Sequence, residues 1–255
     1  MREAAVLITI KSNDEIVKMR ESGRIVGETL KLVESMIKPG VTTKELDKAA
    51  YDYIVSKGAV PSFLNYRGYP ATINASVNCE VIHGIPGNRR IKEGDIISID
   101  VGALKHGFHG DAARTFPVGK VSEDAVKLIN TTRECFFAGM KFARAGNHLY
   151  EISQAIQNYV EERGFSVVRD FIGHGVGKNL HEAPDVPNYK PKGRGPLLVP
   201  GMTIAVEPMV NAGGYEVIIL PDGWTVETKD KSLSAHYENT LLITEGEPEF
   251  LTLID

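Results

Sequence analysis

Between Asp95 and Val118 the chain reads DIISIDVGALKHGFHGDAARTFPV, two runs of β-branched and small residues joined around Lys, His and Gly. Such a stretch predicts an antiparallel hairpin. Each run carries one aspartate: Asp100 between Ile99 and Val101, and Asp111 ahead of Ala112 and Ala113. With a turn near Lys105 and His106, the two stand opposite one another on one face, where facing Cβ atoms are about 4.5 to 5.5 Å apart and like charges repel. A buried charge must be paired or must bind a metal. A shared cation is the simplest compensation. The alternative at this point is that one aspartate faces water or pairs with Arg114, as many surface carboxylates do.

Helical spacing appears on both sides of this hairpin. Ser12 to Glu15 forms a capping box ahead of Ile16, Met19, Val26, Leu30 and Val33, and Pro39-Gly40 ends that helix. Thr42 or Thr43 caps a second helix carrying Leu46, Ala50, Tyr53 and Ile54, which stops near Lys57-Gly58. A third helix opens at Ser122 and runs to about Gly139, and a fourth covers His148 to Arg163. FIGHGVG, GMTIAVEPMV, YEVIIL, WTVET and AHYENTLLIT then form a second strand-rich stretch. The order helix, helix, strands occurs twice without residue-level repetition. These patterns predict one α+β domain over residues 1–255, with a short lead at 1–11 and pseudo-twofold symmetry.

With 42% apolar and 24% charged residues, the 255-residue chain has the composition of an ordinary globular domain. A net charge of −4 and the lack of a Lys/Arg block argue against a nucleic-acid partner. Cys79 and Cys135 form no CxxC pair and are too few for a disulfide framework, which fits a reducing cytoplasm. The N-terminus shows no signal-peptide pattern, and no 18-residue apolar run suggests a membrane span.

Two more carboxylates stand inside or beside apolar strands: Glu207 in TIAVEPMV and Glu238 in SAHYENTLLIT. His174 lies between Gly173 and Gly175, where absent side chains allow close approach of the backbone to a ligand. Four carboxylates and one imidazole form an oxygen-rich donor set, suited to Mn, Fe or Co rather than to a structural zinc site. Five such ligands suit two divalent metal ions. His83, in EVIHGIPG, and His181, in KNLHEAP, are next to turn residues and could steady a polarised carbonyl or amide. His106, His109, His148 and His236 read as ordinary core or surface histidines.

Taken together, SVNCEVIHGIPG, GDIISIDVGALKHGFHGDAARTF, FIGHGVGKNLHEAP, PGMTIAVEPMV and TVETKDKSLSAHYENTLLIT closely resemble the type I methionine aminopeptidases. Five motifs in one order span almost the whole chain. The resemblance implies a pita-bread fold, a curved antiparallel sheet covered by two pairs of helices. It also implies metal-dependent hydrolysis of the first peptide bond of peptides and nascent chains, removing the initiator methionine. In that family picture Asp100 binds one metal, Asp111 and Glu238 bridge two, and His174 and Glu207 complete the shell. Glu207 also moves a proton, while His83 contacts the scissile amide and His181 the carbonyl oxygen. Phe63, Tyr66, Tyr69, Leu180 and Trp224 surround the methionine side chain. A cytoplasmic monomer with transient ribosome association is the matching family expectation.

The chain departs from better-known bacterial members at Phe63, Asn74 and Leu180, where those carry Cys, Cys and Phe, and at Gly102, where some carry Thr. Pocket shape is where this chain should differ from them. Prolidases and proline-specific aminopeptidases share the fold and ligand set but usually add an N-terminal domain. A non-catalytic pita-bread binding module would be expected to lose ligands, and all five are present here.

Overall fold

The computed structural model describes residues 7–254; of the expected N-terminal lead, residues 1–6 lie outside that range. In chain order the first half contains α1 (Asn13–Met36), α2 (Thr43–Ser56), β1 (Val60–Pro61), β2 (Ile73–Val77), β3 (Glu80–Ile82), β4 (Ile96–Lys105) and β5 (Phe108–Pro117). The second half opens with α3 (Glu123–Met140), α4 (Leu149–Glu161), β6 (Ser166–Val167), β7 (Gly173–Gly175) and β8 (Glu182–Val186). It continues through β9 (Thr203–Val206), β10 (Met209–Asn211), β11 (Val217–Ile219), β12 (Val226–Thr228), β13 (Ser234–His236), β14 (Asn239–Leu242) and β15 (Glu249–Phe250). The four helices thus fall at their expected places in an α+β chain.

Their ends follow from local chemistry. Ser12 accepts from the Glu15 amide while the Glu15 carboxylate accepts from the Ser12 amide, and Thr42 with Glu45 repeats the device at α2. Each box satisfies amides that would otherwise lack partners. His148 opens α4 without a side-chain cap. α1 ends at Met36, ahead of the expected Pro39-Gly40 stop.

All strand pairings are antiparallel among the described residues. β4 is flanked by β2 and β1 on one edge and β5 on the other, while the second half builds the order β15-β14-β9-β7-β8. Two apolar cores lie under these sheets. Ile25, Val33, Leu46 and Ile54 of the first helix pair pack on Ile73, Ile97 and Ile99. Leu128, Phe136, Ile152 and Ile156 of the second pair pack on Ile204, Val206 and Leu241. The halves join along β5, where Ala113 O accepts from the Glu238 amide (2.9 Å) and Asp111 N donates to Thr240 Oγ1 (3.0 Å).

The hairpin register differs from expectation. Gly102 faces Asp111, and Asp100 faces Ala113. The turn residues are His106 and Gly107, both with positive φ (51° and 79°), so the turn sits one residue later than expected. A two-residue turn with both central residues left-handed matches the strand twist, and Gly107 takes that conformation without penalty. Asp100 and Asp111 are therefore diagonal neighbours. They still share one face, because positions two apart on a strand point the same way, and the residue between them is the side-chain-free Gly102.

α1 passes close to this hairpin, where a Cβ on Gly110 would lie 2.9 Å from Gly23 N, and closer still to the C-terminal segment. A Cβ on Gly23 would stand 2.1 Å from the Leu251 carbonyl oxygen, a backbone atom with little room to yield. Gly23→Ala should therefore destabilise the protein by about 1–3 kcal/mol through overpacking, despite the roughly 1 kcal/mol by which alanine favours a helix over glycine. Urea unfolding is the measurement; an unchanged or raised midpoint would contradict this account of the crossing.

Candidate metal centre

Asp100 projects from β4, Asp111 from β5 and His174 from the middle of β7; Glu207 follows β9, and Glu238 lies between β13 and β14. Both halves of the chain thus contribute. Ligand atoms of Asp111, His174 and Glu238 lie within 4.8 Å of one another. His174 Nε2 is 3.5 Å from Glu207 Oε1 and 3.9 Å from Asp111 Oδ2. Its other nitrogen, Nδ1, is 2.9 Å from the Gly175 carbonyl oxygen. A carbonyl only accepts, so the proton is on Nδ1 and the Nε2 lone pair faces the carboxylates.

The glycines beside His174 serve a different purpose from the one expected. A Cβ on Gly173 would lie 2.3 Å from Ala205 O, and one on Gly175 would lie 2.3 Å from Ala183 O. They admit the neighbouring strands β9 and β8 rather than a ligand, and this packing holds the imidazole at the floor of the site.

Asn74 lies directly across from Asp100 in the β2–β4 register, and its Nδ2 donates to Asp100 Oδ2 at 2.6 Å. Arg114 does not pair with an aspartate. It donates to the backbone oxygens of Ala113 and Glu238 and to Asn239 Oδ1, with its guanidinium 4.2 Å from the Tyr237 ring centroid. The alternative in which Arg114 neutralises the hairpin is thus excluded.

The carboxylates remain undercompensated. Burial raises Asp100 to about 7, opposed by the Asn74 hydrogen bond. Burial, then the nearby charges of Asp100 and Glu207, push Asp111 well above the carboxylate range. Glu207 and Glu238 shift upward for the same two kinds of reason. Asp100 Oδ1, Asp111 Oδ1 and Glu238 Oε1 are buried with no hydrogen-bond partner. Unpaired buried oxygens of this kind are costly, and a bound divalent cation removes the cost by supplying charge and coordination at once. The donor set therefore fits divalent metal, held by oxygen and imidazole nitrogen.

The five residues line a cavity of about 190 Å³, shared with Phe63, Tyr66, Tyr69, His83, Leu180, His181 and Trp224. Every residue singled out for the site lines it. Phe63, Tyr69, Ala71 and Leu180 form one apolar cluster with Tyr66, Ile85 and Trp224 packed on it. Tyr69 turns its hydroxyl away to donate to Ile73 O and Gly84 O, leaving its ring against Trp224. Its contribution is a wall and not a polar contact. Phe63 accounts for the glycine at 102: a Cβ there would lie 2.7 Å from Ser62 Cβ and 2.8 Å from Phe63 Cε1. Larger residues at the two positions would exclude one another.

His181 stacks on Tyr66 and pairs with its hydroxyl through Nδ1 (2.8 Å), and its ring centre is 4.0 Å from that of His174. His83 adopts a positive φ of 58° and meets Phe171 and Trp224 edge-on. Burial holds both imidazoles down to about 4, so both are neutral near pH 7.

Two neighbours were not anticipated in these roles. Asn74 touches Asp100, a contact that only the β2–β4 register reveals. His236 is buried with Nε2 unpartnered and 3.9 Å from carboxylate oxygens of both Glu207 and Glu238. Its position two residues before Glu238 was the available signal, because alternate strand residues share a face.

The sequence profile of metallopeptidase family M24 matches residues 17–245. Methionine aminopeptidase of Clostridium perfringens (strain 13 / Type A) is 55% identical over 248 residues, covering 97% of this chain and all of the relative. Methionine aminopeptidase 1 of Bacillus subtilis (strain 168) is 50% identical over 97% of this chain and all of its own length. The crystal structure of methionine aminopeptidase from Thermotoga maritima superposes with a TM-score of 0.95 at 43% identity, covering 97% of this chain and 100% of that one. Prolidase from Pyrococcus furiosus reaches a TM-score of 0.75 at 23% identity, with 66% of its length covered, a likeness of fold alone. The fold is that of the pita-bread enzymes.

Proposed function

Because the chain belongs to metallopeptidase family M24, we propose that it is a methionine aminopeptidase, removing N-terminal methionine from peptides and nascent proteins by metal-dependent hydrolysis of the first peptide bond. The observation that carries this reading is the cavity itself, lined both by four carboxylates and an imidazole and by an apolar aromatic cluster. Near-full-length identity of 50–55% to methionine aminopeptidases supports it.

In this reading Asp100, Asp111, His174, Glu207 and Glu238 hold two divalent ions drawn from Mn, Co or Fe. Such ions supply Lewis-acid polarisation and lower the pKa of bound water, and aminopeptidases are among the standard instances of two-metal sites. The protein's own groups do the rest. Glu207, as a carboxylate, takes a proton from the attacking water and delivers it to the leaving amine. His181, neutral and braced by Tyr66, contacts the scissile carbonyl oxygen, and its neutrality lets it donate without adding net charge. His83 contacts the scissile amide. Phe63, Tyr66, Tyr69, Leu180 and Trp224 receive the methionine side chain, whose flexible thioether suits an aromatic-lined pocket.

The reading extends to a cytoplasmic enzyme acting on free chain N-termini; no described helix is long and apolar enough to cross a membrane. Metal-loaded protein is expected to hydrolyse Met-Ala-Ser and to leave Xaa-Pro dipeptides intact. Preference for the proline substrates would favour a prolidase instead, and failure on both would point to a binding module.

A further inference from the structure

His181 and Leu180 sit on a short loop between β7 and β8 that has few backbone bonds of its own. Gly177 N donates to Asn179 O, and Gly177 O accepts from the His109 amide. The loop is otherwise tied at its end by the Glu182 carboxylate. Glu182 Oε1 accepts from the Asn179 amide at 3.0 Å. Its Oε2 accepts from Thr9 Oγ1 at 2.6 Å and from Lys11 Nζ at 2.7 Å. Lys11 and Glu182 are buried, with side chains only 4% and 7% exposed, and Lys11 Nζ also contacts the Thr9 hydroxyl. The Lys11 amide donates to Gly201 O at 2.9 Å, which anchors this strap to the turn before β9. A Cβ on Gly177 would lie 2.6 Å from Glu182 Oε1 and 2.7 Å from Lys11 Cε, so the pair is packed directly over the loop's first residue.

A buried ion pair is weak evidence for stability, because desolvation offsets the attraction, and fixing one geometry is a role such a pair can take instead. Here Glu182 immediately follows His181 in the chain. We infer that the Lys11–Glu182 pair, completed by Thr9, is a positioning device that fixes the 177–181 loop and thereby the direction in which His181 meets substrate. Neither lysine nor glutamate touches the cavity; both act through the histidine, so the inference rests on the proposed contact of His181 with the scissile carbonyl.

The test uses the full-length, manganese-loaded protein and Met-Ala-Ser. Lys11→Met is expected to lower kcat about tenfold, since sub-ångström to 1 Å misplacement of a reacting group costs up to about a hundredfold. Manganese affinity by calorimetry should not change. Lys11→Arg should recover most of the loss, and Thr9→Val, which removes one hydroxyl, should cost roughly two- to threefold. Lys178→Ala, on the same loop but in an exposed pair with Glu15, should leave kcat unchanged. The decisive arm is the double variant: in a His181→Ala background, Lys11→Met should cost nothing further. Equal losses in both backgrounds would overturn the inference, because a purely structural role does not need the imidazole. Wild-type kcat in both Lys11→Met and Thr9→Val, with His181→Ala inactive, would overturn the device and leave the His181 reading standing. Full activity of His181→Ala would overturn both. Should Lys11→Met fail to fold, Thr9→Val in the wild-type and His181→Ala backgrounds carries the same comparison.

Discussion

Stripping divalent metal with a chelator is expected to abolish hydrolysis of Met-Ala-Ser, and manganese, cobalt or iron is expected to restore it. The same treatment should cost stability, because the carboxylate cluster is assembled at a loss without a cation. At metal a thousandfold above its dissociation constant, binding to the folded state alone contributes about 4 kcal/mol, or roughly 10 °C in the unfolding midpoint for a chain of this size.

The loss should also depend on pH in a defined window. Asp100, raised to about 7 in the folded protein against an ordinary 3.8, holds a proton that the unfolded chain has released. The folded state then binds more protons, and stability falls as pH rises. Asp111, Glu207 and Glu238 act in the same direction. Below about 6.5 the histidines oppose them: His83, His109 and His181 are held to about 4, and His174 and His236 to about 3, so their contribution to stability rises with pH and offsets that of the carboxylates. Above the ordinary histidine value of 6.5 the histidine contribution fades within about one pH unit and the carboxylates dominate. The metal-free midpoint should therefore fall between pH 6.5 and 8, and saturating manganese should remove the fall because deprotonated ligands bind it better. Thermal unfolding at the two pH values decides it; a metal-free midpoint that rises with pH would contradict the cluster's electrostatics, and full activity after metal removal would end the metal-dependent reading.

The residues behind this prediction were partly legible in the sequence. Asp100 and Asp111 stood out because charge inside an apolar strand demands compensation, and Glu207 and Glu238 repeat the pattern. The register between the first two was not legible to the residue. The choice between turning at Lys105-His106 and at His106-Gly107 rests on backbone conformation, and the second choice places Gly102, not Asp100, across from Asp111. The capping boxes at Ser12 and Thr42 were readable because their partners lie three residues away. Asn74 was read only as a departure at the pocket, and His236 and Lys11 were not read as parts of the site, since each acts on a partner fixed by strand pairing or chain crossing. Asn74 meets Asp100 across 26 positions and Lys11 meets Glu182 across 171. A local pattern carries no record of such contacts. The glycines around His174 show the converse: their presence was conspicuous, but their reason, the close passage of Ala183 and Ala205, belongs to the sheet.

Replacing His181 by alanine is expected to separate carbonyl contact from metal binding, whereas replacing Glu207 by glutamine is expected to impair both proton transfer and metal binding. His181 reaches the cavity from its loop, with Nδ1 engaged by Tyr66 and its ring centre 4.0 Å from that of His174. His181→Ala should keep manganese affinity and lower kcat roughly 10²- to 10³-fold, the usual scale for deleting a donor to a developing oxyanion. Glu207→Gln keeps one oxygen and the shape of the side chain but cannot carry the proton, so kcat should fall about 10²- to 10⁴-fold. Metal affinity should weaken in that variant, because a charge is lost 3.5 Å from His174 Nε2. Asp100→Asn should behave differently from both. Asn74 already donates to Asp100 Oδ2, a bond that the amide oxygen of an asparagine can still accept, so the substitution takes charge from the centre while keeping that contact. Its main effect should be lost metal, partly rescued by higher manganese concentration. Calorimetric titration beside steady-state kinetics distinguishes the three: equal metal loss in His181→Ala and Asp100→Asn would refute the division between ligand and substrate contact, and a fully active Glu207→Gln would remove the proton carrier from the mechanism.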